Sequence, residues 1–193
     1  MTQHANKTPV GIIGVGNMGA GMAANLLAQG WPVHVRDLVS ARERDLERFG
    51  AVTHTSPAQL AINCDVAIVC VVDATQTREV LFGPDGAAPA MRAGQAVMLC
   101  PTIAPQDVEA FAGELTERGL HTIDAPMSGG PVRARDGSMS LMVACMDEVF
   151  EQHRALLEAL SNKLFRISRR PGDGARTKLV NNLLAGINLV GAA

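Results

Sequence analysis

The sequence predicts an α/β fold, a doubly wound and mostly parallel sheet with helices on both faces. Three observations lead there. Short runs rich in Val, Ile and Leu recur at strand length, and most of the gaps between them carry helix-like patterning. The third strand-like run is apolar throughout rather than alternating, as expected for a strand covered on both faces. Third, 47% of the 193 residues are apolar and 19% charged, which provides a core and argues against disorder.

Taken in order, Val10 to Ile13 reads as a buried strand that ends in glycines, and about Asn17 to Gln29 as a helix. Val33 to Val35 is a second strand and Ala41 to Arg48 a second helix. Val66 to Val72, bounded by Asp65 and Asp73, is a long apolar run whose β-branched content favours a buried parallel strand. Pro84 to Gly86 marks a loop. Strands are expected at Ala96 to Leu99, Leu120 to Asp124, Ser140 to Cys145 and Lys163 to Ile167. Helices are expected at Gln106 to Arg118 and Glu148 to Leu160. From about Gly174 the chain reads as helix to its last residue, with neither a capping glycine nor a polar tail, so this helix is expected to be cut short.

Several function classes are excluded on bulk grounds. A net charge of −2 with no Lys/Arg block leaves no basic face for nucleic acid. One Trp and no Tyr provide no stacking platform for bases. No apolar run is long enough for a membrane helix, and Met1 to Val10 lacks the parts of a secretion signal, so a cytoplasmic protein is expected. Cys64, Cys70, Cys100 and Cys145 fit no zinc or redox spacing and read as small core hydrophobes. The five histidines show no metal-ligand spacing, and no metal site is predicted.

The first strand runs into Gly14-Val15-Gly16-Asn17-Met18-Gly19, the G-x-G-x-x-G spacing placed between a strand and a helix. Gly14 permits the tight turn, Gly16 leaves room for a pyrophosphate, and Gly19 lets the helix pack close to the sheet. The helix N-terminus adds unpaired N–H groups and partial positive charge. Asp37, at the end of the second strand, is the acidic residue this fingerprint expects, able to accept bonds from ribose hydroxyls. It favours NAD. Arg36, Arg42 and Arg44 lie close by and keep NADP open, because an arginine there can take a 2′-phosphate.

Four stretches carry a family resemblance: Gly11–Leu27 around the glycine loop, Cys-Pro-Thr-Ile-Ala-Pro at 100–105, Asp124–Ala144, and Gly172–Gly186. Together they resemble the β-hydroxyacid dehydrogenase family, which includes 3-hydroxyisobutyrate dehydrogenase, tartronate semialdehyde reductase and, more distantly, 6-phosphogluconate dehydrogenase. The resemblance implies a Rossmann-type dinucleotide-binding domain over residues 1–170. Residues 171–193 would then start a long interdomain catalytic helix, with the all-helical C-terminal domain absent from this chain. There are departures from the family pattern. Val71-Val72 stands where the family has Leu-Pro, a contact to the cofactor made mostly by backbone. Pro101 replaces a serine, leaving Thr102 as the hydroxyl beside the nicotinamide. Lys178-Leu-Val-Asn181-Asn182 replaces the Lys-x-x-His-Asn of relatives with phosphorylated sugar substrates, which argues for an unphosphorylated acid.

On this resemblance the expected activity is reversible oxidation of a small 3-hydroxy acid with NAD, NADP being possible. Lys178 is the expected general acid/base, its pKa lowered by desolvation. Asn182, one helical turn on, would hold the substrate hydroxyl or carboxylate. Ser128, Gly129 and Gly130 would anchor the carboxylate with a hydroxyl and backbone N–H groups, and Asp124 would tie that turn to backbone donors. Cofactor contacts are expected from Gly14, Gly16, Asn17, Met18, Gly19, Asp37, Val71, Val72, Gln76 and Thr102. Two other readings stand beside this one, a non-catalytic nucleotide-binding module and an imine-reductase-like enzyme; Lys178 speaks against the second. Leu179, Val180, Leu183, Leu184, Ile187, Leu189 and Val190 cover most of the final helix, which should be buried in a complete enzyme. With partners missing it becomes an association surface, and a homo-oligomer, in the form of a symmetric dimer, is expected.

Overall fold

The computed structural model describes residues 7–192, so the reading of the first residues as lacking a secretion signal falls largely outside it. Its strands are β1 (Val10–Ile13), β2 (Val33–Arg36), β3 (Val52–Thr53), β4 (Val66–Val69), β5 (Ala96–Leu99), β6 (His121–Asp124), β7 (Met127–Ser128), β8 (Met139–Ala144) and β9 (Ser161–Ser168). Its helices are α1 (Asn17–Ala28), α2 (Ser40–Glu47), α3 (Pro57–Ala61), α4 (Ala74–Phe82), α5 (Pro105–Glu117), α6 (Gly130–Asp136), α7 (Asp147–Leu160) and α8 (Asp173–Gly191).

One sheet holds all the strands, in the order β3-β2-β1-β4-β5-β6-β8-β7, with β9 also on β8. From β3 to β6 every pairing is parallel; β8 runs antiparallel to β6 and β7 and parallel to β9. The period of two along each central strand decides which layer a side chain enters. Val10, Ile12, Val66, Ile68, Ala96 and Met98 face one layer, where Met22 and Leu26 of α1 and Leu156, Leu157 and Leu160 of α7 cover them. Ile13, Ala67, Val69, Val97 and Leu99 face the other, under Leu60 of α3, Leu81 of α4 and Phe111 and Leu115 of α5. Both faces are thus closed, as the uniformly apolar strands require.

The predicted doubly wound α/β class is what the structure has. The short pieces β3, α3, α4, β7 and α6 were not anticipated, and the third strand stops at Val69 rather than Val72. Beyond Val69 the chain turns toward Asp73, which caps α4 by accepting from Gln76 N. Cys64, Cys100 and Cys145 are buried and Cys70 is partly so; burial raises the Cys64 thiol to about 12 and those of Cys70 and Cys145 to about 11. They are core hydrophobes, as read.

The later turns of the final helix are uncovered, which agrees with the expectation of an apolar surface there. Gly174, Ala175 and Lys178 of α8 are buried, but the apolar residues from Leu179 onward are exposed, Leu183 at 63% and Val190 at 78%. Where α8 packs, its neighbours are α5, β6, β8 and β9. Its buried residues all lie in the N-terminal half, so the later turns present their leucines to solvent.

Candidate functional site

The parallel strands bring their C-terminal ends to one edge. β1 connects to β2 on one side and β4 lies on its other side, so the direction of winding reverses between β1 and β4. Such a switch point opens a crevice above the strand ends. The glycine loop after β1, Asp37 after β2, Val71 and Val72 after β4, Thr102 after β5 and Asp124 at the end of β6 therefore share one rim.

The glycine loop is shaped as its spacing requires. Gly14 has φ +92°, and a Cβ there would lie 2.7 Å from Cys70 O. A Cβ on Gly19 would lie 2.0 Å from Gly14 O, so α1 meets the turn as closely as backbone allows. A Cβ on Gly16 would meet nothing within 4 Å. Gly16 is also the N-cap of α1 and offers no side-chain acceptor, so first-turn N–H groups are left for an anion. A pocket with bare backbone, a helix N-terminus and an open position at the second glycine fits the pyrophosphate of NAD(P).

Asp37 is buried and already engaged. Its Oδ2 accepts from Val15 N at 2.8 Å and its Oδ1 from Val39 N at 2.8 Å, with Arg42 at 3.4 Å. The carboxylate thus ties the glycine loop to the end of β2, a link not foreseen from sequence. Each oxygen retains acceptor capacity for a ribose hydroxyl. Gln76 spends its Oε1 on Val72 N at 3.2 Å, bracing the loop after β4; Val72, Gln76 and Thr102 are exposed on the rim.

The loop from β6 carries the rest. Ser128 ends β7, paired with Ser140 of β8. Gly129 and Gly130 follow at φ +134° and +74°, conformations that glycine adopts without strain, and they lead directly into α6. Four residues upstream of Ser128, Asp124 is 1% exposed, and its Oδ2 accepts from Gly172 N at 2.7 Å and Ala175 N at 3.1 Å. The donors are therefore at the start of α8 and not in Asp124's own turn. Gly172, the N-cap of α8, has no side chain to offer, and Asp124 takes its place from a distant strand. Ser168 donates to Asp173 at 2.8 Å and Arg176 pairs with Glu109 of α5 at 2.7 Å, adding partly buried restraints of lesser weight.

One turn into this anchored helix stands Lys178, only 9% exposed. Burial alone lowers its pKa from the ordinary lysine value; no neighbouring carboxylate counters the shift. Asn182 lies one turn further, exposed, while Asn181 is partly buried. A buried amine whose pKa is lowered by desolvation gives up its proton more readily than an ordinary lysine, which suits it to proton exchange.

The link through Asp124 has measurable consequences. Asp124→Ala leaves two buried N–H groups without acceptors and is expected to cost about 2–4 kcal/mol. Asp124→Asn keeps an acceptor oxygen and is expected to cost much less. Burial also raises the Asp124 carboxyl from 3.8 to about 6, so the fold binds this proton more tightly than the unfolded chain does. The stability from that proton is complete below about 3.8 and lost as pH rises through about 6. Urea midpoints of the wild type relative to Asp124→Asn should therefore fall between those pH values; a flat difference would refute the assignment.

Comparison with known proteins agrees with this geometry. Residues 9–168 match the family described as the NAD binding domain of 6-phosphogluconate dehydrogenase. L-Threonate dehydrogenase of Cupriavidus necator is 42% identical over 187 residues, 95% of this chain and 62% of that protein. The crystal structure of a 3-hydroxyisobutyrate dehydrogenase from Salmonella typhimurium superposes with a TM-score of 0.89 at 37% identity, covering 95% of this chain and 64% of that one. A structure of Psf3 in complex with NADP+ and 2-OPP gives a TM-score of 0.89 at 33% identity, with 95% and 64% covered. The chain thus spans about three fifths of the length of the curated relatives it matches.

Proposed function

Because the chain belongs to the β-hydroxyacid dehydrogenase family, through the NAD-binding domain that defines its match, we propose that it oxidises a small, unphosphorylated 3-hydroxy acid, reversibly, with NAD as the preferred cofactor. The observation that carries the reading is Lys178: a buried lysine with a lowered pKa, one turn into a helix pinned to the end of β6. Residues 1–170 act as the dinucleotide-binding domain, and 171–193 as the start of a helix that carries catalytic residues between domains.

When bound, NAD(P) supplies the hydride acceptor or donor. The protein supplies positions and a proton site. Gly14, Gly16, Asn17, Met18 and Gly19 hold the pyrophosphate, Asp37 accepts from the adenosine ribose, and Val71, Val72, Gln76 and Thr102 line the nicotinamide side. Ser128, Gly129 and Gly130 hold the substrate carboxylate, and Asn182 orients the hydroxyl. Nζ of Lys178 takes the hydroxyl proton in oxidation and returns it to the carbonyl oxygen in reduction. The absence of a histidine at position 181 supports an acid without a phosphate.

The test is a dehydrogenase assay of the full-length gene product with 3-hydroxyisobutyrate, glycerate, threonate, 3-hydroxypropionate and 4-hydroxybutyrate, each with NAD and NADP. Turnover of at least one acid is expected; NAD(P) binding without turnover of any would favour a nucleotide-binding module. We further propose that the exposed leucines of α8 make the protein a homo-oligomer, which a monomeric sedimentation profile at micromolar concentration would refute. Among the described residues no helix is long and apolar enough to cross a membrane.

A further inference from the structure

Arg36, Arg42 and Arg44 surround the end of β2, and from sequence each is a candidate partner for a 2′-phosphate. The structure distinguishes them. Arg44 donates to Ser40 Oγ at 3.1 Å on the exposed side of α2. Arg42 lies 3.4 Å from Asp37 and is half exposed. Arg36 is the most enclosed: its side chain is 21% exposed, and its guanidinium donates to the carbonyl oxygen of Asp37 and, at 3.2 Å, to Oε1 of Glu43.

Glu43 is the unusual member of this group. It sits in the first turn of α2, yet is only 7% exposed. The same Oε1 that receives Arg36 accepts from the backbone N–H of Asp37 at 2.8 Å. One buried carboxylate therefore fixes the peptide that carries Asp37 and occupies the nearest enclosed guanidinium. Glutamate is seldom buried without such partners. Because the pair Arg36–Glu43 is neutral, the guanidinium has no charge to spare for a 2′-phosphate.

We propose that Glu43 is a specificity-determining residue for the cofactor, selecting a ribose 2′-hydroxyl over a 2′-phosphate by engaging the guanidinium of Arg36 and so denying it to the ligand. The inference rests on the dinucleotide-binding reading above and deepens it. Glu43 acts through Arg36 and Asp37 rather than by touching the cofactor.

The substitution that separates the two duties of Glu43 is Glu43→Gln. Glutamine keeps an acceptor for Asp37 N and loses the charge that holds the guanidinium. The experiment is fluorescence or calorimetric titration of the purified chain with NADH and NADPH, read as the ratio of their dissociation constants and needing no substrate. Glu43→Gln is expected to shift the ratio toward NADPH by about tenfold, about 1.4 kcal/mol. Adding Arg36→Leu to it should abolish most of that shift, since the two residues are coupled. Arg36→Leu alone leaves Glu43 unneutralised, so it should shift the ratio the opposite way by about threefold; this variant decides the matter if Glu43→Gln does not fold. A ratio within twofold of wild type in the folded Glu43→Gln protein overturns the proposal, as does a shift that survives the loss of Arg36. Wild-type chain that binds neither dinucleotide would instead defeat the cofactor reading, a distinct outcome.

Discussion

Lys178→Ala is expected to lower turnover at least about a hundredfold, the scale on which general acid–base groups contribute, with NAD(P) affinity within about twofold of wild type. A lysine in a helix ordinarily extends into water, whereas Lys178 is nearly covered although its side chain carries charge in its ordinary state. Desolvation penalises the ammonium, and nothing nearby compensates, so its pKa falls. The neutral amine is the form that accepts the alcohol proton. Oxidation should therefore rise with pH through the lowered lysine pKa and then level off, while reduction, which needs the ammonium, should decline over the same range. Lys178→Arg sharpens the test. Arginine keeps the positive charge and much of the volume but does not deprotonate, so it should be nearly as inactive as alanine in oxidation. Near-normal turnover in either variant would remove Lys178 from the chemistry. A loss matched by unfolding would be seen in the melting profile; removing a buried charge that has no partner gives no reason to expect one.

Much of this site was legible before the structure because its signals are local. The G-x-G-x-x-G spacing needs only the neighbouring strand and helix to be interpreted, and both lie where the apolar runs placed them. The long elements were legible for the same reason. α3 and α4 carry readable start signals, Ser56 before Pro57 and Asp73 before Gln76, but their short apolar patterns are too weak to stand out. α6 and β7 follow a glycine pair that reads equally well as a plain turn. Other features were beyond sequence because they join distant residues. Asp124 was read as tying its own turn to backbone donors, whereas the donors lie 48 and 51 residues away. Asp37 was read as a ribose acceptor, and its bond to Val15 N across 22 residues was invisible. Glu43 resembled any solvated residue of a polar helix. The apolar surface of α8 was legible from its all-round apolar pattern, whereas what covers it was not, since the pattern leaves the partner open.

Gly16→Val is expected to weaken NAD(P) binding at least about a hundredfold, about 2.7 kcal/mol, while leaving the melting temperature within about 2 °C of wild type. The three glycines of the loop make unequal tests. At Gly19 even a methyl group would fall 2.0 Å from Gly14 O, so a variant there disturbs the contact between β1 and α1. At Gly14 the backbone lies at φ +92° and Cys70 O would be 2.7 Å from a Cβ, so strain and collision add together. Lost binding in either variant would report a damaged fold. Gly16 differs on both counts. Its φ of −67° and ψ of −159° are extended backbone open to any L-residue, and its Cβ position is empty to 4 Å. The added isopropyl group meets no protein atom at its base and occupies the space in front of α1, where the phosphates must approach the helix N-terminus. An intermediate Gly16→Ala variant should lose less, in proportion to the volume introduced. Unchanged affinity in a folded Gly16→Val protein would mean that the pyrophosphate does not lie over this loop, and the cofactor placement would fail with it.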